Sequence, residues 1–232
     1  MERDTAGRHP QVRTELARLV RDTARRLTDH PFYRGLADGT LPEAALAHFL
    51  QQDHWHVLPA YAAAHARCAA VAAGHPHALL FSRMGTGTAE DAERRQERVR
   101  RWGEDLKLPL ADGAPALLPT TLGYTAFLGA APARSLPAGA GAVLPAAWLF
   151  LLVTDELLTR CVPGSRYAPV IEEWHPGDTY RGLVDVFLGA VEEIAAECSP
   201  AGRRELVTSA RHAAYFEWAH VNAAWRQEAW PF

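Results

Sequence analysis

The chain has 232 residues, 48% of them hydrophobic and 22% charged, with a formal net charge of -3, 16 prolines, 17 glycines and three cysteines. Those figures fit one domain over residues 1–232, with 1–10 as a loose N-terminus, and they exclude a disordered tail, a collagen-like repeat and a disulfide scaffold. Of the 24 basic residues only Lys107 is lysine, and it lies in a polar stretch, so Schiff-base chemistry has no candidate amine among the other side chains.

Apolar periodicity is helical along nearly the whole chain. Val12, Leu16, Leu19, Val20 and Leu27 recur at helical spacing and predict a first helix that stops before His30-Pro31. Thr40 followed by Glu43 reads as a capping box with Pro42 in the first turn, opening a long second helix toward Ala73 that kinks at Pro59. A third helix starts near His75, is interrupted at Gly85-Thr-Gly-Thr88, and restarts on Thr88 and Asp91 to reach Trp102. Prolines and glycines between Lys107 and Gly139 predict loop, with a short helical piece from Leu122 to Leu128. Ala140 to Arg160 reads as a buried central helix, broken or started at Pro145. Two more helices follow, Thr179 to Cys198 and Pro200 to Glu228, the latter capped by Ser199. No run alternates as a strand does and no internal repeat is visible, so the expected fold is all-α and bundle-like.

The charges are interspersed, which gives no footprint for nucleic acid. The arginine run Glu93 to Arg101 also carries Glu93 and Glu97 and reads as a solvated helix face laced by i,i+4 pairs. The longest apolar run, Ala142 to Val153, is shorter than the about 20 residues of a membrane span, and the charged N-terminus has no signal-peptide pattern, so no membrane partner is expected. Cys68, Cys161 and Cys198 are odd in number and widely spaced, as expected of reduced thiols in a cytoplasm. GxxxxGK, GxGxxG after a strand, CxxC, HExxH and GxSxG are all missing, which leaves the common nucleotide, zinc and serine-hydrolase classes without support.

Four blocks in register carry a resemblance. His30-Pro-Phe32, Gly39-Thr-Leu41, Phe49 and Gln52-Asp53 resemble the N-terminal signature of the thiaminase II family, also called TenA, within the haem oxygenase-like superfamily. Pro119-Thr with Tyr124-Thr125, then Leu144-Pro-Ala-Ala-Trp-Leu-Phe150, then Glu217 with Glu228-Ala-Trp230, resemble that family's later blocks in the same order. The resemblance implies a haem oxygenase-like, TenA-like helical bundle, a small-molecule substrate, and a homotetramer or homodimer for which exposed apolar positions on the first helix would serve. It also implies hydrolysis of an aminopyrimidine, or cleavage of thiamin, through a cysteine thiolate and without a cofactor. By position, Asp53 would hold the amino edge of the substrate, Glu217 would be the acid or base, and Tyr124 would stack on the ring. A carboxyl facing a second carboxyl in an apolar bundle core has its pKa pushed upward and can carry a proton at neutral pH.

The departures from that family reshape the expectation. The nucleophile's position is Ala146, and Cys161 lies 15 residues further along the same helix, about 22 Å away, with Cys68 equally far from Asp53. His56 stands where relatives carry a pocket tyrosine, Phe150 where they carry another, and His220 where they carry a stacking phenylalanine. Register slips near Trp174, which leaves the assignment of Tyr180 open. Substrate contacts are therefore expected from Asp53, His56, Tyr124, Ala146, Phe150, Glu217 and His220. His54, His65 and His212 read as surface or packing residues, and Trp148 as core or pocket wall.

Asp53 and His56 are three apart on one helix, as are Glu217 and His220 on another, so each pair is expected to share a face. Three readings follow. One is a TenA-like enzyme without its thiol, which uses Asp53, Glu217 and a histidine for acid-base work on a nitrogenous heteroaromatic substrate and activates water directly. Another is an iron or manganese oxygenase with Asp53, His56, Glu217 and His220 as ligands. The third is a non-catalytic protein that binds a pyrimidine-like ligand or only scaffolds a complex.

Overall fold

The structure, a computed structural model, describes residues 10–231. Helix α1 (Pro10–Thr28) turns Val12, Leu16, Val20 and Leu27 inward, all nearly inaccessible. Its apolar face is thus spent on the core, with Ala17 and Leu19 half-buried and no large apolar side chain of the helix exposed among the described residues, so the expected exposed apolar positions are not found there. The next helix, α2 (Pro31–Asp38), is too short to show a period in sequence. The His30 ring accepts the Phe32 N–H at its start, Pro31 fills the first turn, and Gly39 at φ 86° ends it. Helix α3 (Glu43–Gln52) has Pro42 before it and no side-chain cap; the hydroxyl of Thr40 donates instead to Asp38 at 2.6 Å, so the expected capping box does not form.

The expected kink before Pro59 is a π-turn, Asp53–Val57, between α3 and α4 (Leu58–Val71). Pro59 has no N–H and its ring crowds the carbonyl four residues back; one wider turn just before it absorbs the misfit. Helix α5 (His75–Leu106) runs unbroken through Gly85 and Gly87. Gly85 is there for proximity, since a Cβ would meet the Ala62 carbonyl of α4 at 3.2 Å. Helix α6 (Pro119–Arg134) is longer than the piece expected and contains Pro132. Helix α7 (Leu136–Arg160) is capped by Ser135 and keeps Pro145 in its interior. The remaining helices are α8 (Ala168–Trp174), unforeseen for its brevity, α9 (Gly177–Glu197) and α10 (Pro200–Trp225), which the Ser199 hydroxyl caps as expected.

Helix α7 is the axle. It packs on α1, α4, α6, α9 and α10, and Gly141 lets α10 approach so closely that a Cβ would fall 2.1 Å from the Leu206 carbonyl. By length and composition α7 could cross a bilayer, at a mean hydropathy of 1.9, but 67% of that apolar stretch is buried inside the bundle, which is the signature of a core helix. Two apolar clusters lie along it and meet at Trp148. Among the described residues there is no strand, and the protein is one helical domain, as expected.

Candidate active site

A cavity of about 540 Å³ opens between α3, the π-turn, α5, α6, α7 and α10. Its wall includes Asp53, Tyr124, Ala146, Phe150 and Glu217, which are five of the seven residues proposed from sequence. The π-turn puts Asp53 on that wall at the end of α3, and the Phe216 ring, stacked on Tyr124 at 5.3 Å, fixes α10 against α6.

Glu217 is the group whose chemistry the fold has changed most. Burial, with a smaller push from the Asp53 charge, raises its pKa to about 7 against the pull of a hydrogen bond donated by the Tyr124 hydroxyl. Tyr124 is itself fully buried, and burial together with the Glu217 charge keeps its phenol protonated. Glu217 can therefore take or give a proton near neutrality, while Tyr124 orients it. Phe216 covers one face of the Tyr124 ring, and the hydroxyl is committed to Glu217.

Asp53 has a different partner. Arg95 of α5 donates to its Oδ2 at 2.5 Å, both side chains being at least 86% buried, and Arg95 also reaches Asp91 Oδ2 at 3.2 Å. Sequence reading placed Arg95 on a solvated face; Arg98 turns partly inward as well, whereas Arg100 behaves as expected and pairs with Glu97 at 2.6 Å and Glu104 at 2.5 Å in the open. Yet Arg95 falls on the stripe Phe81, Met84, Thr88, Asp91, Val99, Trp102 at helical spacing, and that stripe was the available signal.

The two histidines of the proposed constellation are not on the wall. His56 is bonded through Nε2 to the Pro115 carbonyl at 3.0 Å, because the wider π-turn adds a residue per turn and residues three apart no longer share a face. His220 is 4% exposed behind Phe49, whose ring lies 5.0 Å away, and burial lowers its pKa to about 4. Neither His56 nor His220 lines the cavity, and the four residues Asp53, His56, Glu217 and His220 do not all face it together. Among the described residues no group of three or more His, Cys, Asp or Glu side chains is arranged to hold a metal ion.

The histidine that does line the cavity is His175, beyond α8, bonded to Asp155 at 2.9 Å. Burial opposes ionisation of Asp155, but hydrogen bonds from His175 and Arg181 outweigh it and hold the carboxyl below its usual range. Tyr180 lines the cavity as well, its ring 5.7 Å from Phe150, which answers the question its sequence register left open. Trp148 packs between the two apolar clusters and is core. His54 and His65 are buried packing residues, as expected.

Several motif residues hold the site in place without entering it. The Gln52 amide spans the loop before α6, donating to the Ala116 carbonyl at 2.8 Å and accepting the Leu118 N–H at 3.2 Å. Glu228 receives the Thr120 N–H and hydroxyl, both at 2.8 Å, and so places a carboxylate at the N-terminal turn of α6. Trp230 donates its indole N–H to the Leu117 carbonyl at 3.0 Å.

The all-α bundle, with a carboxyl, an ion pair and several phenols around one cavity, has a TenA-like helical fold, and the cavity is its candidate site. The chain belongs to the TENA/THI-4/PQQC family, whose sequence profile matches residues 18–227. It is 26% identical over 215 residues to the aminopyrimidine aminohydrolase of Bacillus subtilis (strain 168), covering 87% of this chain and 84% of the relative. It is 34% identical over 185 residues to the thiamine biosynthesis multifunctional protein ThiED of Corynebacterium efficiens, an alignment with 78% of this chain that takes in 23% of that longer protein. A TenA homologue from Pyrococcus furiosus superimposes with a TM-score of 0.77 at 14% identity, covering 92% of this chain and 99% of the other, and so shares the fold.

Proposed function

We propose that this protein hydrolyses a C–N bond in an aminopyrimidine-like substrate with water as the direct nucleophile. The observation that carries the reading is Glu217, a half-buried carboxyl on the cavity wall with its pKa raised to about 7, together with Ala146 at the wall position where the family resemblance implies a thiol. Homology to aminopyrimidine aminohydrolases supplies the substrate class. The unprotonated Glu217 takes a proton from water as its oxygen bonds to carbon. As the C–N bond breaks, the same carboxylic acid returns that proton to the leaving nitrogen, so one group serves as base and then acid. Tyr124 fixes the Glu217 carboxyl, and Asp53 faces the substrate's amino edge through the oxygen that Arg95 leaves free. The low accessibility of the cavity strengthens each of these interactions.

The three free cysteines suit a reducing compartment, and we take the protein to act in the cytoplasm as a homo-oligomer. The test is Glu217→Gln, assayed for ammonia or amine release from aminopyrimidines. Turnover should fall about 10²–10⁴-fold while binding changes less than about threefold, and the inflection near pH 7 should vanish from the rate profile. Unchanged turnover would remove Glu217 from the chemistry.

A further inference from the structure

The α5 side of the cavity has more donors than acceptors. Arg95 carries five N–H groups, and its acceptors are Asp53 Oδ2 and Asp91 Oδ2. Its Nε is buried without a partner although its side chain is only 10% exposed. Arg98, on the same wall, has Asp91 Oδ1 at 3.0 Å as its acceptor, and its Nε is likewise buried and unpartnered. Arg83 and Arg94 stand exposed on the same wall and pair with no carboxylate among the described residues. The acids of this region are already committed: Asp53 to Arg95, Asp91 to Arg95 and Arg98, and Glu173 to Arg101 and the Trp102 indole.

A buried guanidinium with unused N–H groups is costly unless something accepts from it. Water can satisfy the exposed arginines; Arg95 and Arg98 line the cavity, and a ligand there displaces water from those of their N–H groups that face it, the buried Nε atoms not being among them. The surplus is cationic and planar, which suits the oxygens of a carboxylate or a phosphomonoester.

We infer that the substrate is amphoteric: a heteroaromatic amine bearing an acidic arm, carboxylate or phosphate, whose anionic oxygens are received by Arg95 and Arg98, with Arg94 and Arg83 at the rim. The inference rests on the aminopyrimidine reading above and narrows its substrate class. It assigns the amine to Asp53 and Glu217 and the acid to the α5 arginines that run on from the Asp53–Arg95 pair.

The experiment compares three probes by calorimetry on the full-length protein: an aminopyrimidine with a hydroxymethyl, a carboxylate or a phosphomonoester arm. One of the acid-bearing probes should bind at least about tenfold tighter than the neutral one, and which of the two wins identifies the acid. Because Arg95→Gln exposes Asp53 to loss of its partner and can unfold the chain, the variant used is Arg94→Gln with Arg98→Gln, which leaves the Asp53–Arg95 pair intact. In it the preference should shrink below about threefold. Equal or tighter binding of the neutral probe by the unmodified protein overturns the inference and leaves the aminopyrimidine reading standing. A preference that survives both substitutions overturns the assignment to this wall. Failure of all three probes to bind overturns both readings.

Discussion

Asp53 and Glu217 share one cavity and one functional group, yet their neighbours give them different tasks. Asp53 faces a guanidinium and stays part of an ion pair; Glu217 has no cation beside it, and burial, against the pull of the Tyr124 hydroxyl, raises its pKa to about 7. Sequence reading found both, because each sits in a motif, and it foresaw the upward shift of one carboxyl. It missed Arg95, since an arginine in a run of charges gives no local sign that its helix face points inward. It misplaced His56 for a related reason: face-sharing at three residues holds only in a regular α-helix, and the π-turn is not encoded in any single residue. Ala146 offers a direct check on where the ligand lies. In Ala146→Cys, iodoacetamide labelling of the introduced thiol, followed by peptide mass spectrometry, should slow severalfold when aminopyrimidine is saturating. Labelling at an undiminished rate would put the ligand outside this cavity.

At the scale of elements, long periodic helices were legible, the short ones were not, and α6, with Pro132 in its interior, was legible only in part. Helices α2 and α8 are only eight and seven residues long, too few to display a period, and depend on contacts made elsewhere: Phe32 against Phe49 at 5.2 Å, and Trp174 against Phe49 at 5.6 Å. The glycines of α5 suggested a break that tertiary packing overrides, because Gly85 lets α4 and α5 close on each other. The same logic is sharper between α7 and α10. Gly141→Ala would drive a methyl group into the Leu206 carbonyl, backbone that cannot swing aside. The expected loss is at least about 2 kcal/mol, read as a lower urea midpoint at unchanged slope. An unaltered midpoint would show that the two helices separate easily.

For the whole molecule, the buried ionisable groups set opposing pH dependences. Burial lowers the pKa of His65 from 6.5 to about 3 and that of His220 to about 4. The unfolded chain therefore takes up protons that the folded chain refuses, so both groups erode stability as pH falls below about 6.5. Glu217 acts in the reverse sense: its raised pKa favours the folded state fully below 4.5, and that contribution is lost as pH rises through about 7. Between 4.5 and 6.5 it offsets one histidine, and below 4.5 nothing from it remains to be gained. His65 has neither ring nitrogen paired and lies among Tyr61, Phe81 and Phe187, so His65→Phe removes the titration while keeping a planar ring. The melting temperature of this variant should fall less between pH 8 and pH 5 than that of the unmodified protein. An identical fall in both would acquit His65.

Ala146 has one more consequence. A hydrolase that depends on a thiolate is hostage to peroxides, alkylating agents and soft metals, because the feature that makes sulfur nucleophilic also makes it oxidisable. Here the cavity wall carries no cysteine, its one sulfur is the thioether of Met84, and Cys68 is buried with its thiol pushed up to about 12. Chemistry run by a carboxyl group and water has no oxidation state to lose. On the proposed reading, exchanging sulfur for a proton carrier gives up nucleophilic strength, and the expected outcome is a turnover rate that survives treatment with hydrogen peroxide.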